Sequence, residues 1–305
     1  MELHFLGTGA GVPSKQRNTT AIALKFLNDY KGALWLFDCG EATQHQMLYT
    51  SLKLSKLERI FITHLHGDHI YGLPGVLGSR SFQGGKSPLT VYGPKGIDKF
   101  IKATLSISET HLHYPLKVVE VEDGMSIDLK SHTVTVKELE HAIQSFGYRM
   151  KEKKKPGSLL VDRLKEIGVK PGPAYAALKK GERVTLDDGR ILNGEDFVGP
   201  KKPGKTVVIL GDTRVCKNAE VLAENADILV HEATFMESDR KIAYEYFHST
   251  TVDAARIANR ANVSKLILTH ISSRYQGEQS NLLLKEARKV FKNTFLASDL
   301  DIFTF

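Results

Sequence analysis

Short apolar runs, each closed by glycine or by a polar turn, recur along this chain and alternate with stretches of helical spacing. Clusters of β-branched and aromatic residues predict strands over 2–6, 20–27, 33–38, 60–63 and 90–92 in the first half. Val134-Thr135-Val136-Lys137-Glu138-Leu139 alternates as a half-buried strand does. Val207-Val208-Ile209-Leu210 and Leu266-Ile267-Leu268-Thr269 are further apolar runs of strand character. Apolar positions at helical spacing predict helices over 97–107, 252–261 and 281–290. No internal repeat or low-complexity tract interrupts the series. Periodicity alone therefore gives a mixed α/β chain and nothing finer.

Composition narrows the setting. A chain of 305 residues with 41% apolar content can bury a large core, as one big domain or two ordinary ones. The two cysteines, Cys39 and Cys216, stand far apart and in no zinc-knuckle spacing, which argues for a reducing compartment without a disulfide framework. The opening Met-Glu-Leu-His-Phe-Leu carries an acid and a histidine where a signal peptide would carry lysine or arginine. No stretch approaches the roughly 18 apolar residues that a membrane helix needs. The expectation is a soluble, cytoplasmic protein.

Charge is unevenly placed. The chain has a formal net charge of +7, and residues 149–184 hold eleven Lys and Arg against four Asp and Glu, which is the whole excess. Lys153-Lys154-Lys155-Pro156-Gly157 and Gly181 punctuate this segment as they would an insertion. Within it, Ser158 is placed to cap a short helix whose Leu160, Leu164 and Ile167 share a face, ended by Gly168. A second helical stretch, 174–180, follows Lys170-Pro171-Gly172-Pro173. The segment reads as a small basic helical hairpin outside the core. A solvated lysine surface is one explanation; a phosphate backbone is the commonest partner of so concentrated a patch. Tyr148 and Tyr175 are its only aromatic company, so base stacking is not its main mode.

One of the strands ends in chemistry. Arg59-Ile60-Phe61-Ile62-Thr63 leads into His64-Leu65-His66-Gly67-Asp68-His69. Neutral imidazole and carboxylate oxygen suit zinc, whose catalytic sites keep one position open for water. His64 and His66 are two apart and can point toward one metal; Asp68 and His69 lie past Gly67, where the chain can turn toward a second. A loop that happens to be histidine-rich gives no reason for this crowding at an apolar strand end. Asp212 follows its own apolar run with Gly211 between, His270 follows Thr269, and His141 follows the alternating strand. If those strands share one end of a sheet arrangement, the side chains converge on one rim. Together they make five histidines and two aspartates, enough for two metals sharing a bridging carboxylate.

His64-x-His66-x-Asp68-His69 resembles the signature of the metallo-β-lactamase superfamily. The flanking words narrow the resemblance to the ribonuclease Z family. They are Phe5-Leu6-Gly7-Thr8-Gly9, Pro13-x-Lys15-x-Arg17-Asn18, Phe37-Asp38-Cys39-Gly40-Glu41, Gly211-Asp212-Thr213-Arg214, His231-Glu232-Ala233-Thr234 and His248-Ser249-Thr250. The match runs from residue 2 past His270 and departs at no metal position. It implies a four-layer αββα sandwich, a single catalytic domain over 1–305, with 149–184 as an inserted arm. It implies two zinc ions per subunit, one on His64, His66 and His141, the other on Asp68, His69 and His270, with Asp212 bridging. The implied activity is removal of the 3′ trailer from precursor tRNA, leaving a 3′-hydroxyl on the tRNA and a 5′-phosphate on the trailer. Asp68 would then serve as general base and His248 as acid, with Glu232 orienting or charging it, while Asp38 buttresses the metal histidines. Lys15 and Arg17 would touch the end of the acceptor stem. The arm, with Lys153, Lys154, Lys155 and the Gly172-Pro173 pair, would grip the tRNA elbow, and the protein would be a homodimer.

A hydrolase of small phosphodiesters, thioesters or lactams would keep the metal core but gives no reason for a phosphate-binding arm. An RNA-binding protein without turnover would be expected to lack a ligand. His45, His111, His113 and His132 have no motif around them and read as structural or exposed, and Cys39 reads as a small buried filler.

Overall fold

Two seven-stranded sheets carry the computed structural model, which describes residues 1–27 and 32–305. From edge to edge the first runs Ile302–Thr304, Glu2–Gly7, Ala21–Lys25, Leu34–Phe37, Leu57–Phe61, Leu89–Gly93, Leu116–Glu120. The second runs Thr294–Leu296, Leu266–Thr269, Ile228–Glu232, Thr206–Leu210, Ser145–Glu152, His132–Leu139, Ser126–Asp128. Leu34–Phe37 through Leu116–Glu120 are parallel, as are Thr206–Leu210, Ile228–Glu232, Leu266–Thr269 and Thr294–Leu296. Parallel strands are covered on both faces, which explains why Thr206–Leu210 is buried throughout.

Side-chain alternation sorts the layers. On one face of the first sheet Trp35, Phe37 and Phe61 form a ring cluster, and Phe61 lies 5.2 Å, centroid to centroid, from Tyr148 of the second sheet. The Tyr148 hydroxyl donates to the Ile62 carbonyl at 2.6 Å. On the opposite face Leu34, Leu36 and Ile60 pack with Leu73, Val76, Ile97 and Ile101 from helices Leu73–Phe82 and Ile97–Ile107. The second sheet turns Val208, Leu210, Leu229 and Leu268 toward Leu222, Ala254, Ile257 and Leu283 of helices Lys217–Ala223, Thr251–Arg260 and Glu278–Val290. The order is helix, sheet, sheet, helix: the αββα sandwich that the family resemblance implied.

Two boundaries move for local reasons. The strand expected over 60–63 is Leu57–Phe61, because the Thr63 N–H leaves the ladder and donates to Asp38 Oδ1 at 2.7 Å. The helix expected from 252 starts at Thr251, held by a capping box in which Thr250 and Asp253 satisfy each other's backbone N–H.

Asp128–Thr133 and Lys151–Lys205 form a second compact unit. Its own core is Leu164, Val169 and Leu178, joined by Leu159, Tyr175, Val184, Leu192 and Phe197. It holds helices Val161–Glu166 and Pro173–Lys179 and the hairpin Arg183–Thr185 with Ile191–Asn193. The unit runs past 184 because the hairpin and the 3-10 turn Gly194–Phe197 complete that core; their acidic residues conceal the boundary from a reading of charge. Ser158 does not cap the first helix: Leu160 is its N-cap, and the Ser158 carbonyl instead accepts from Gly199 N at 2.9 Å. Leu164 is fully buried, whereas Leu160 and Ile167, expected on the same buried face, are each 36% exposed. Among the described residues no helix is long and apolar enough to cross a membrane.

Candidate active site

Parallel strands from both sheets end at one group of side chains, as open parallel sheets tend to place their sites. His64 stands three residues past Leu57–Phe61, Asp212 two past Thr206–Leu210, and His270 directly after Leu266–Thr269. His66, Asp68 and His69 belong to the turn and short helix Gly67–Ile70, and His141 follows His132–Leu139. Asp38 and His270 adopt left-handed backbone at φ 56° and 57°, a conformation that costs non-glycine residues about 1–3 kcal/mol and persists where surrounding bonds enforce it. Gly211 has to be glycine: a Cβ there would lie 2.6 Å from the Thr63 Cβ.

The seven expected ligands meet. His64, His66 and His141 form one cluster; Asp68, His69 and His270 form another; Asp212 joins His64 and His69, and also His248 and His270. Nδ1 of His66 lies 3.2 Å from Nε2 of His141, and Nε2 of His69 lies 3.3 Å from Nε2 of His270. Asp212 Oδ2 is 3.2 Å from His270 Nε2, 3.5 Å from His69 Nε2 and 3.6 Å from His64 Nε2, so one oxygen serves both clusters. Asp68 Oδ2 is 3.4 Å from His69 Nε2 and 3.3 Å from His270 Nε2, and it accepts from Gly11 N at 2.8 Å. His64 Nε2 is buried without a hydrogen-bond partner. Ring nitrogens facing one another across carboxylate oxygens, one of them orphaned, call for a cation, and the donor set is that of a zinc-type site.

For four of the five imidazoles the other face of the ring fixes which nitrogen is bare. His69 Nδ1 meets Asp38 Oδ2 at 2.8 Å, and His141 Nδ1 donates to the Phe247 carbonyl at 3.0 Å. His64 and His270 reach their carboxylates through a hydroxyl. Thr63 Oγ1 donates to Asp38 Oδ2 at 2.9 Å and lies 2.9 Å from His64 Nδ1; Thr234 Oγ1 donates to Glu232 Oε2 at 2.8 Å and lies 2.9 Å from His270 Nδ1. A hydroxyl that donates to a carboxylate must accept from the imidazole, so Nδ1 carries the proton and Nε2 turns its lone pair to the cluster. Sequence reasoning found Asp38 but missed Thr63 and Thr234.

Electrostatics follow the same plan. Burial pushes His64 well down, which keeps it neutral as a ligand must be. Burial also acts to lower His69, yet the charges of Asp212 and Asp38 raise it above its ordinary range, a second sign that positive charge belongs there. Burial would raise Asp68, but the neighbouring His270 and His69 imidazoles hold it well below the usual carboxylate range. His248 Nδ1 lies 3.0 Å from Glu232 Oε1. Burial opposes its charge, but the Glu232 carboxylate, through its charge and this hydrogen bond, lifts it to about 9. Held in this way, its imidazole lines the cleft, where it is able to give up a proton.

The remaining expected residues divide. Lys15 is exposed. Arg17, expected on the substrate, is 7% exposed; its Nη1 donates to Thr8 Oγ1 and to the Ala297 carbonyl, both at 2.6 Å, so it braces the loop from inside. Lys153 pairs with Asp128 at 2.7 Å and Lys155 with Glu152 at 2.8 Å, while Lys154 is exposed. Gly172 is the N-cap of Pro173–Lys179, and Pro173 occupies its first turn. His45, His111, His113 and His132 stand outside the clusters formed by the described residues, and Cys39 is a fully buried thiol. Arg274, which the sequence did not single out, lines the cleft of about 310 Å³ with Asp68, Asp212 and His248.

The comparisons with known proteins agree with this geometry. The family model "Anti-Pycsar protein Apyc1" matches residues 1–155, and "Beta-lactamase superfamily domain" matches 197–271. The proteins named "Ribonuclease Z" from Bacillus cereus (strain AH820) and Bacillus anthracis (strain CDC 684 / NRRL 3495) are each 60% identical over 304 residues, 99% of this chain and 99% of theirs. The crystal structure of human tRNase Z, short form, superposes with a TM-score of 0.71 at 30% identity, covering 100% of this chain and 99% of that one. With an identity of this size across two full lengths, and a metal-type site where the family's words predicted it, the chain belongs to the ribonuclease Z family of endoribonucleases, on the metallo-β-lactamase fold.

Proposed function

We propose that this enzyme removes the 3′ trailer from precursor tRNA, as a cytoplasmic homodimer with two zinc ions per subunit. The observation that carries the reading is the pair of three-residue clusters facing a single Asp212 oxygen, in a chain 60% identical to proteins named for this activity. When bound, two zinc ions supply an acidified water near neutral pH and positive charge for the scissile phosphate. Asp68, fixed by the Gly11 N–H, accepts the proton of the attacking water. His248, held by Glu232, gives its proton to the departing ribose 3′-oxygen as the phosphorus–oxygen bond breaks. The tRNA keeps a 3′-hydroxyl and the trailer leaves with a 5′-phosphate.

The second compact unit is the proposed tRNA clamp. Residues 151–205 hold fourteen Lys and Arg against eight Asp and Glu, a net charge of +6, and folded RNA is gripped through shape and backbone. A paired experiment separates binding from chemistry. Deleting 151–205 and joining Met150 to Thr206, which lie in neighbouring strands, by a short glycine linker retains all seven proposed ligands. That variant is expected to fail on precursor tRNA at physiological salt while still hydrolysing a small activated phosphodiester. Asp68→Ala is expected to bind tRNA and turn over neither substrate. Normal tRNA processing by the deletion variant would refute the clamp; turnover by Asp68→Ala would refute its role as base.

A further inference from the structure

The segment that carries His248 is not packed tight on every side. A cavity of about 1230 Å³ adjoins it, lined by Glu140, Arg214, Tyr244, His248 and Ile257 among others. Apolar filling therefore does not fix the segment on that side, and Phe247, the residue before His248, holds left-handed backbone at φ 58°, which an aromatic residue adopts only under constraint. Arg214 reaches across this space. Its guanidinium carbon lies 4.5 Å from the centroid of the Tyr244 ring and 4.4 Å from that of Phe247. Its Nε donates to Glu140 Oε1 at 2.8 Å, and Nη2 donates to the same oxygen. Its backbone N–H donates to the Glu140 carbonyl at 3.0 Å.

These bonds connect three parts of the reaction centre. Glu140 precedes the ligand His141, and His141 Nδ1 donates to the Phe247 carbonyl. Thr213 sits between the shared carboxylate Asp212 and Arg214, and its carbonyl accepts from Ser249 Oγ at 2.6 Å. The stretch Asp212-Thr213-Arg214 thus holds both chain neighbours of His248: Arg214 holds Phe247 and Thr213 holds Ser249. A lysine could carry the charge but could not stack a planar fork between two rings while donating twice to one carboxylate.

We propose that Arg214 is a positioning residue: clamped to Glu140 and stacked on Tyr244 and Phe247, it sets the angle from which His248 delivers its proton to the leaving 3′-oxygen. The inference rests on the reading of His248 as the acid, and the test distinguishes the two. The full-length enzyme and the variants Arg214→Gln, Arg214→Lys and His248→Gln are assayed on one precursor tRNA with either the natural linkage or a 3′-bridging sulfur at the cut. A thiolate leaves without needing a proton, so a defect confined to proton delivery disappears on the sulfur linkage.

Arg214→Gln is expected to lower kcat on the natural linkage about 10- to 100-fold, within the usual contribution of a general acid. KM should stay within about twofold, and the sulfur linkage should restore most of the rate. Arg214→Lys should fall with it, which keeps the test available if the glutamine variant does not fold. An equal loss on both linkages, or a loss that tracks reduced metal content, would make Arg214 a support of His141 and overturn the proposal. An unchanged rate for Arg214→Gln and Arg214→Lys beside a sulfur-rescued defect in His248→Gln would overturn it too. If His248→Gln shows no linkage-dependent defect, the acid reading itself fails, and the role of Arg214 falls with it.

Discussion

Thr234 shows how much of the site depends on residues that ligate nothing. Its hydroxyl stands between Glu232 and His270, and the same arrangement recurs with Thr63 between Asp38 and His64. Replacing Thr234 by valine keeps the shape but leaves the His270 N–H and a Glu232 oxygen without that partner. Loss of such an outer partner costs about 10- to 100-fold in metal affinity. Thr234→Val is expected to show a fall of that order in competition with a chromophoric chelator, and Thr234→Ser to recover most of it; equal affinity in all three proteins would refute the hydroxyl's role. The seven residues that meet in the two clusters were legible because each follows an apolar run by a residue or a few. Thr63 and Thr234 were not, since threonine beside a strand is an ordinary β-branched residue until its hydroxyl partner is known. Arg17 was misplaced for a related reason: a cation in a polar loop looks exposed, and its actual acceptor, the Ala297 carbonyl, is 280 residues away.

At the scale of elements, the His248-Ser249-Thr250 stretch does two jobs. Thr250 ends the site segment and begins the helix Thr251–Arg260, accepting from Asp253 N at 3.1 Å and donating to Glu237 Oε2 at 2.8 Å. Thr250→Ala removes the cap at a cost on the order of 1 kcal/mol, which is about 2 °C in melting temperature for a chain of this size. A thermal melt checks this, with Thr250→Ser expected near the parent and an unshifted alanine variant counting against the cap. The pattern of runs placed the eight strands it predicted within a few residues, because most are short, largely buried apolar runs closed by plain turns and His132–Leu139 alternates cleanly. It could not give sheet order, since neighbours such as Ser145–Glu152 and Thr206–Leu210 are separated in sequence by most of the second unit. The αββα arrangement came from the family resemblance.

At the scale of the whole molecule, one chain holds both a metal-type centre and a second compact unit of net charge +6. The charge run 149–184 covers only part of that unit, because residues 185–205 hold four Lys and Arg against four Asp and Glu and so add no excess for a reading of charge to follow. The central claim is that metal-activated water, and not the ribose 2′-hydroxyl, cuts a precursor tRNA at its 3′ trailer. Mapping both new ends after cleavage of one precursor tests it most directly, using an all-ribose substrate and one with a single 2′-deoxyribose at the cut. The account predicts a 3′-hydroxyl on the tRNA and a 5′-phosphate on the trailer from both substrates, with cleavage abolished by chelator and restored by zinc. A 2′,3′-cyclic phosphate, failure on the deoxy-substituted substrate, or cleavage that survives complete metal removal would contradict it.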